Sequence, residues 1–190
     1  MTKKTAVIMT PGFADWEYAL IAGIGGPFYG LDVAFFSPQV GRIRSQGGLV
    51  CEVSKGLDEL AAWQPDAVVV VGGTLWESEQ APDIGALLKT QHLRGVTIAG
   101  ICGGTLALAR AGLLNGRKHT SNEVGFLTRN AKNYTGEPLF VASAAAVADV
   151  NVITAPGTAP VSFTAAIFSA LGIDEATVKQ FNAMLAAEHA

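Results

Sequence analysis

A cysteine directly after a buried strand is the strongest chemical signal in the sequence. The run Val96–Ile101 is almost continuously apolar, Cys102 comes next, and Gly103 and Gly104 lead into an apolar helical stretch. This strand–turn–helix layout is typical of a nucleophile held on a strained turn above a sheet. The positive end of the helix dipole favours the thiolate, so we expect Cys102 to titrate below the free-thiol pKa of about 8.5. The competing interpretation is a small, inert core cysteine.

An acidic motif follows the first predicted strand. In the segment Met9–Glu17, Asp15 is placed to cap the first predicted helix. Glu17 lies two residues later, where its side chain can turn back toward the strand ends. A carboxyl group beside a thiolate has a raised pKa, so Glu17 would be protonated near neutral pH and act as a proton donor. The alternative is an acid that merely complements the helix dipole.

Two further turns follow strands. Val70 and Val71 run into Gly72 and Gly73, and the backbone N–H groups of Gly73 and Gly103 are predicted to form an oxyanion hole. The turn 154–160 is predicted to close one wall of a substrate pocket, with Thr158 capping the next helix.

The histidines and acidic residues show no metal-site pattern. Of His92, His119 and His189, only His119 is a plausible base, although a loop or edge-strand histidine is more often structural. There is no Cys-x-x-Cys, no His-Glu-x-x-His and no paired carboxylate cluster, so we expect no metal. No phosphate-cradling glycine loop follows a strand, and we expect no cofactor.

The elements that must position these residues alternate along the chain. Short apolar runs, typical of strands buried on both faces of a parallel sheet, alternate with helical segments. This order predicts a doubly wound α/β fold with a mainly parallel sheet, helices on both faces and a nucleophile elbow. The stretch Arg42–Cys51 predicts a hairpin, and Tyr134–Ala148 predicts a second one. The predicted strands are Thr5–Met9, Val33–Phe36, Ala67–Val71, Val96–Ile101 and Val150–Thr154; the predicted helices are Asp15–Tyr29, Pro82–Gln91, Thr105–Ala111, Glu123–Asn130, Thr158–Leu171 and Asp174–Ala187.

Composition limits the classes of function. The 190 residues suit one domain, 1–190, and 49% hydrophobic against 15% charged residues favours a large core over disorder. The net charge of −3 offers no basic surface for nucleic acid or anionic membrane. No signal peptide and no apolar run of 18 residues is evident, so we expect a cytoplasmic protein with reduced thiols.

Taken together, the motifs resemble the ThiJ/PfpI superfamily, which includes class I glutamine-amidotransferase-like proteins and the Parkinsonism-linked deglycase and chaperone branch. The resemblance rests on Gly12–Glu17, Val71–Gly73, Ala99–Thr105, Gly112–Arg117 and Gly157–Thr158, in order over almost the whole chain. It implies a flavodoxin-like fold, a homodimer, an oxidisable cysteine at Cys102 and a glutamate at Glu17 that donates a hydrogen bond to it. Asp15, Trp16, Thr105, Asn122 and Thr158 would line the substrate pocket.

Departures from the family pattern limit the chemistry that can be expected. The protease branch has a histidine where this chain has Gly103, and the deglycase branch has one at the position that matches Asn122. No late His-x-Glu pair occurs, so a full Cys–His–acid triad is not supported. The resemblance implies that Asn122, not His119, faces the sulfur. If the chain is extended from Lys118 onward, His119 then points to the other side.

Three hypotheses follow. In the first, the protein is an enzyme that uses Cys102 and Glu17 to act on a small molecule, such as methylglyoxal or glycation adducts, isocyanides or amides. In the second, the protein is a redox-sensing stress protein whose Cys102 is oxidised to a sulfinate. The third is a non-catalytic binding module on the same fold.

Overall fold

A six-stranded sheet organises the chain in a computed structural model that describes residues 2–187. The sheet order is β2-β1-β5-β6-β8-β7, parallel throughout except that β7 runs antiparallel to β8. Strands β3 and β4 form a separate antiparallel hairpin, as the sequence predicts for this stretch. The strands are β1 (Lys4–Ile8), β2 (Asp32–Phe36), β3 (Gly41–Arg44), β4 (Val50–Val53), β5 (Ala67–Val70), β6 (Thr97–Ile101), β7 (Val147–Asp149) and β8 (Val152–Ala155).

Helices cover both faces of this sheet. Neighbouring strand residues point to opposite faces, so Val68 and Val70 pack into one core while Val69 and Val71 pack into the other. Helices α2 to α5 close the first core, and α6 and α7 close the second. The doubly wound α/β fold with a mainly parallel sheet is therefore confirmed. The helices are α1 (Gly26–Tyr29), α2 (Leu57–Trp63), α3 (Gly85–Leu93), α4 (Gly104–Arg110), α5 (Val124–Asn130), α6 (Pro160–Ala170) and α7 (Glu175–Ala186).

The first predicted helix is interrupted. Instead of a regular helix over Asp15–Tyr29, the chain makes turns as far as Tyr18 and becomes helical at Ala19. A π-helical turn over Ile21–Gly25 then runs directly into the single turn α1. Pro27 lies in the first turn of α1, and because proline lacks an N–H it cannot continue the hydrogen bonds of a preceding helix. The turns leave Glu17 close to the strand ends rather than on a regular helix.

Other boundaries differ for local reasons. Helix α2 was not anticipated; it is short, and the Glu59 carboxylate accepts from the Gly56 N–H at its start. The predicted hairpin within Tyr134–Ala148 is wrong, because β7 pairs with β8 instead. Strand β8 begins at Val152, since Val150 adopts a left-handed φ of 53° in the turn between the two strands.

Two sequence features lie at the limits of what the structure describes. Within residues 2–187, no helix combines the length and apolar character needed to cross a bilayer. His189 lies outside the described residues.

Candidate active site

Cys102 lies on a strained elbow between β6 and α4. Its φ is 53°, a left-handed conformation that costs a residue with a side chain about 1–2 kcal/mol. The Cys102 N–H donates to the Ala155 carbonyl of β8 at 3.0 Å, which continues the sheet one residue past β6. Helix α4 then packs so closely on β5 that a Cβ at Gly104 would collide with the Val70 carbonyl oxygen. The predicted nucleophile elbow is present, and the side chain of Cys102 is partly exposed.

Glu17 reaches the same point from the turn after β1. Its side chain is 1% exposed, and Oε2 accepts from the Gly72 N–H at 2.6 Å. Its other oxygen, Oε1, is buried and has no hydrogen-bond partner among the nitrogen and oxygen atoms of residues 2–187. A Cβ added to Gly157 would lie 2.9 Å from the Cys102 sulfur and 3.4 Å from Glu17 Oε1, so both groups border one small space.

The two acidic groups shift each other's titration. Burial raises the pKa of Glu17 from 4.5 to about 7, although hydrogen bonds with Gly72 and Cys102 oppose the shift. Burial and the charge of Glu17 raise the pKa of Cys102, while hydrogen bonds from Asn122 and Gly103 lower it. The raised Glu17 pKa is as predicted. The expectation of a lowered Cys102 pKa is wrong, because desolvation and an acidic neighbour outweigh the dipole of the short helix α4.

Because Glu17 and Cys102 share one pocket, they titrate as a coupled pair. The pair releases its first proton near pH 7, and the second leaves only above the ordinary thiol range. The singly ionised pair therefore retains one proton, which either Glu17 Oε1 or the sulfur can carry. With the proton on Glu17, the thiolate accepts hydrogen bonds and the carboxyl group is a proton donor.

Asn122, not a histidine, contacts the sulfur. Its Nδ2 donates to Cys102 Sγ at 3.4 Å, and its Oδ1 accepts from the Gly157 N–H at 2.9 Å. His119 is fully buried elsewhere, with Nε2 2.7 Å from the Tyr134 hydroxyl and Nδ1 2.8 Å from the Arg117 carbonyl. The prediction that Asn122 faces the sulfur and His119 does not is confirmed.

The two residues that carry the predicted oxyanion N–H groups lie in contact. A Cβ at Gly103 would be 3.1 Å from the Gly73 nitrogen and 2.7 Å from the Gly73 oxygen. Among residues 2–187, neither N–H donates to a protein oxygen. The role of Gly73 and Gly103 as an oxyanion hole stays a prediction.

Of the other residues predicted to line the pocket, Trp16 contacts the turn next to the sulfur, whereas Asp15 and Thr158 do not cap helices. Trp16 is 48% exposed, and its Nε1 donates to the Gly157 carbonyl at 2.9 Å, which ties the indole to the turn that borders the sulfur. Asp15 caps no helix: it accepts from the Gly47 N–H in the β3–β4 loop, and hydrogen bonds from Ser45 and Gly47 lower its pKa. Thr158 is exposed and caps nothing either, because α6 begins at Pro160 with no side-chain cap.

Thr105 was expected in the pocket and lies beneath the elbow instead. It is fully buried, and its hydroxyl donates to the Cys102 carbonyl at 2.6 Å. Its Oγ1 also lies 2.7 Å from the Ser121 hydroxyl. No substrate atom can reach this hydroxyl without displacing the elbow.

Comparisons with known proteins agree with this geometry. The model of the DJ-1/PfpI family matches residues 3–170. The chain belongs to the DJ-1/PfpI family. It is 35% identical over 179 residues to the uncharacterized protease YoaZ of Bacillus subtilis, a match that covers 90% of this chain and 85% of that protein.

Solved structures give the same assignment. The DJ-1 superfamily protein Atu0886 of Agrobacterium tumefaciens has a TM-score of 0.93 and 34% identity, with 100% of both chains covered. Drosophila melanogaster DJ-1beta shares the fold, with a TM-score of 0.75 and 24% identity over 97% of this chain and 98% of its own. The resemblance to the ThiJ/PfpI superfamily that the sequence motifs indicate is therefore confirmed.

Three site residues of this DJ-1/PfpI protein were given no individual role by the sequence analysis. Gly72 supplies the N–H that binds Glu17, Gly157 touches the sulfur, and Ser121 reaches the elbow through Thr105. Gly72 and Gly157 each follow a strand, which is the signal that could have found them. Nothing in the local pattern singles out Ser121.

A cavity lies away from this site. It measures about 660 Å³, and it is lined by charged residues including Glu77, Asp83, Arg110 and Lys132. None of the predicted site residues borders it, and it contains no thiol next to a proton donor. The chemistry of the groups around Cys102 therefore makes that space the candidate active site.

Proposed function

We propose that this DJ-1/PfpI protein is a cysteine-dependent enzyme that acts on a small electrophilic molecule. One observation carries the proposal: Glu17 has a buried carboxyl oxygen with no nitrogen or oxygen partner within residues 2–187, and its pKa is about 7, beside a sulfur on a strained elbow. A group that exchanges a proton near neutral pH is suited to general acid–base catalysis. A purely structural acid would be expected to satisfy both oxygens.

The first step would be addition of the thiolate to a carbonyl carbon. The C–S bond forms, the C=O π electrons move to the oxygen, and the N–H groups of Gly73 and Gly103 meet the developing negative charge. Glu17 then donates its proton to that oxygen, which leaves a neutral adduct and a Glu17 carboxylate. The carboxylate is now the base for the next step.

A 2-oxoaldehyde such as methylglyoxal fits these groups. From its hemithioacetal, the Glu17 carboxylate removes the proton on the former aldehyde carbon, and the resulting enediol takes a proton at the neighbouring carbon. The product is a thioester, and water releases it as a 2-hydroxy acid while the thiol is restored. The overall reaction adds one water and needs no external oxidant or reductant.

Amide and isocyanide substrates would make further demands. Amide hydrolysis needs a group that protonates the leaving amine and a group that activates water. Of the histidines within residues 2–187, His119 is bound to Tyr134 and His92 lies near Arg117, so neither serves the sulfur. Glu17 would have to perform every proton transfer, which favours carbonyl addition.

The test is a turnover screen with purified protein. Methylglyoxal, an isocyanide and a set of amides are incubated with wild type, Cys102→Ala and Cys51→Ser, and products are followed by NMR. Cys51 is also a free cysteine, in β4, so its replacement controls for loss of a thiol. We expect turnover that survives Cys51→Ser and disappears in Cys102→Ala. No turnover of any of these compounds, with Cys102 reactive toward iodoacetamide, would refute the enzyme proposal.

A redox sensor is the second candidate, and the donors around the sulfur favour it. Asn122 Nδ2, the Gly103 N–H and protonated Glu17 would all bind sulfinate oxygens. Each oxidation consumes one peroxide: thiolate gives sulfenate and water, and sulfenate gives sulfinate and water. Mass spectrometry after peroxide treatment would detect two added oxygens on Cys102. Sulfinate without turnover would favour this second candidate.

A further inference from the structure

We infer that Thr105 and Ser121 are positioning residues that hold Cys102 in its reactive conformation and set its distance from Glu17 and Asn122. The inference rests on Cys102 being the reactive group of the proposed function. It concerns the geometry of that group and does not depend on which substrate is turned over.

The direction of the hydrogen bonds can be assigned. A threonine hydroxyl has one proton, and Thr105 Oγ1 must donate it to the Cys102 carbonyl oxygen, 2.6 Å away, because a carbonyl only accepts. The Ser121 hydroxyl, 2.7 Å from Thr105 Oγ1, must therefore be the donor in that pair. The chain of bonds runs from Ser121 through Thr105 to Cys102.

This chain of bonds opposes the strain at the elbow. With φ at 53°, Cys102 would relax to an ordinary conformation unless its surroundings prevented it. Its carbonyl accepts both the hydroxyl and the N–H of Thr105, the latter at 3.1 Å, which fixes the peptide that follows the sulfur-bearing residue. Thr105 is 0% and Ser121 2% exposed, so water cannot replace either bond at low cost.

Ser121 also ties the elbow to the group that contacts the sulfur. Asn122 is the next residue, and its amide donates to Cys102 Sγ at 3.4 Å. Successive residues in an extended segment point to opposite sides, so Ser121 holds the elbow from beneath while Asn122 meets the sulfur above. The segment is itself attached to the sheet by the Thr120 N–H, which donates to Thr154 Oγ1 at 2.8 Å.

The test follows iodoacetamide alkylation of Cys102 against pH in a Cys51→Ser background. In Thr105→Val, which keeps the side-chain shape but removes the hydroxyl, we expect the sulfur to move away from the charge of Glu17, which lowers the pKa of Cys102. Alkylation at pH 7 should therefore become about five- to tenfold faster, the factor that loss of one buried hydrogen bond represents. The alkylation midpoint should move toward about 8.5, the value of an ordinary thiol. The midpoint should also become insensitive to Glu17→Gln, because the sulfur no longer lies beside Glu17.

Two variants separate positioning from a general loss of stability. Thr105→Ser restores a hydroxyl and should restore the wild-type midpoint. Thr164→Val is the matched control, since Thr164 is fully buried and its hydroxyl has no partner within the described residues, so the midpoint should not change.

A wild-type midpoint in Thr105→Val that still responds to Glu17→Gln would overturn the inference. If Thr105→Val does not fold, Ser121→Ala decides, because it keeps the Thr105 donor and removes only the link to the Asn122 segment. An unchanged midpoint in that variant would refute the role of Ser121. Alkylation needs no substrate, so absence of turnover would refute the proposed enzyme while leaving the positioning roles to be judged on these midpoints.

Discussion

Replacing Glu17 by Gln should change how the stability of the protein depends on pH. Glu17 has a pKa of about 7 in the folded protein and an ordinary value of 4.5 when exposed. Between these two values the folded state binds one more proton than the unfolded state. The free energy of unfolding therefore falls as pH rises through this window, by about 1.36 kcal/mol per pH unit.

The magnitude follows from the width of the window. An interval of about 2.5 pH units corresponds to a loss of roughly 3 kcal/mol between pH 4.5 and 7, and the loss levels off above pH 7. That is a large share of the 5–15 kcal/mol typical of a domain. Glutamine has a similar shape, can accept from the Gly72 N–H and carries no charge. The free energy of unfolding of Glu17→Gln, relative to that of the wild type, should therefore rise by roughly 3 kcal/mol between pH 4.5 and 7.5.

Urea unfolding at several pH values between 4.5 and 7.5 measures this difference. The upper limit avoids the thiol, because the raised pKa of Cys102 lowers stability further at higher pH. Glu79→Gln, at an exposed position, controls for the loss of one negative charge. Repeating the comparison in a Cys102→Ser background shows how much of the effect needs the sulfur.

A stability difference between wild type and Glu17→Gln that stays constant over this pH range would refute the reasoning. It would mean that Glu17 keeps its ordinary pKa and is ionised in its pocket. The proposed proton donor would then be absent at neutral pH.

Three other substitutions test separate contacts. Asn122→Asp replaces the amide donor at 3.4 Å from Sγ by a carboxylate, so iodoacetamide alkylation of Cys102 at pH 7 should slow about tenfold. An unchanged alkylation rate would show that the amide does not stabilise the thiolate. Gly157→Ala places a Cβ 2.9 Å from Sγ and should slow alkylation and turnover together, at a cost in melting temperature because the added methyl group overpacks the elbow. Unimpeded alkylation would show that the sulfur is reached from another side. His119→Ala removes a buried ring that contacts Tyr134 and Phe140, so urea unfolding should show a loss of about 2–4 kcal/mol in the free energy of unfolding. The pH midpoint of Cys102 alkylation should be the same as in the wild type, and a shifted midpoint would indicate that His119 acts as a base for Cys102.

Predictions that depended on strand and turn patterns were the most successful. The runs ending at Ile101 and Val71 are apolar because both faces of a parallel sheet are covered, and a strand buried in this way is evident without a structure. Parallel strands bring their carboxyl ends to one edge, so Cys102 and Glu17 could be assigned to one site, and the family resemblance added Asn122. The alternation of side chains after Lys118 correctly separated Asn122 from His119.

Predictions that depended on individual side-chain partners were less successful. Asp15 and Thr158 are good capping residues by type, yet one binds a hairpin loop distant in sequence and the other is exposed. The hairpin expected within Tyr134–Ala148 does not form. Its last residues belong to β7, which pairs with β8, because a short apolar run does not specify its partner strand. Thr105 belongs to the motif of the elbow, but its hydroxyl points beneath the turn rather than into the pocket.

The sequence by itself determined the elbow, its cysteine and the acid that accompanies it, because local residue types and the order of strands and helices specify those features. The pKa order of the pair and the Ser121–Thr105–Cys102 chain of bonds were decided only by the tertiary structure. Desolvation depends on how completely the surrounding elements exclude water from Glu17 and Cys102. Ser121 lies 16 residues from Thr105 in sequence, and the two hydroxyls meet because the segment after α4 returns to β8, where the Thr120 N–H donates to Thr154 Oγ1.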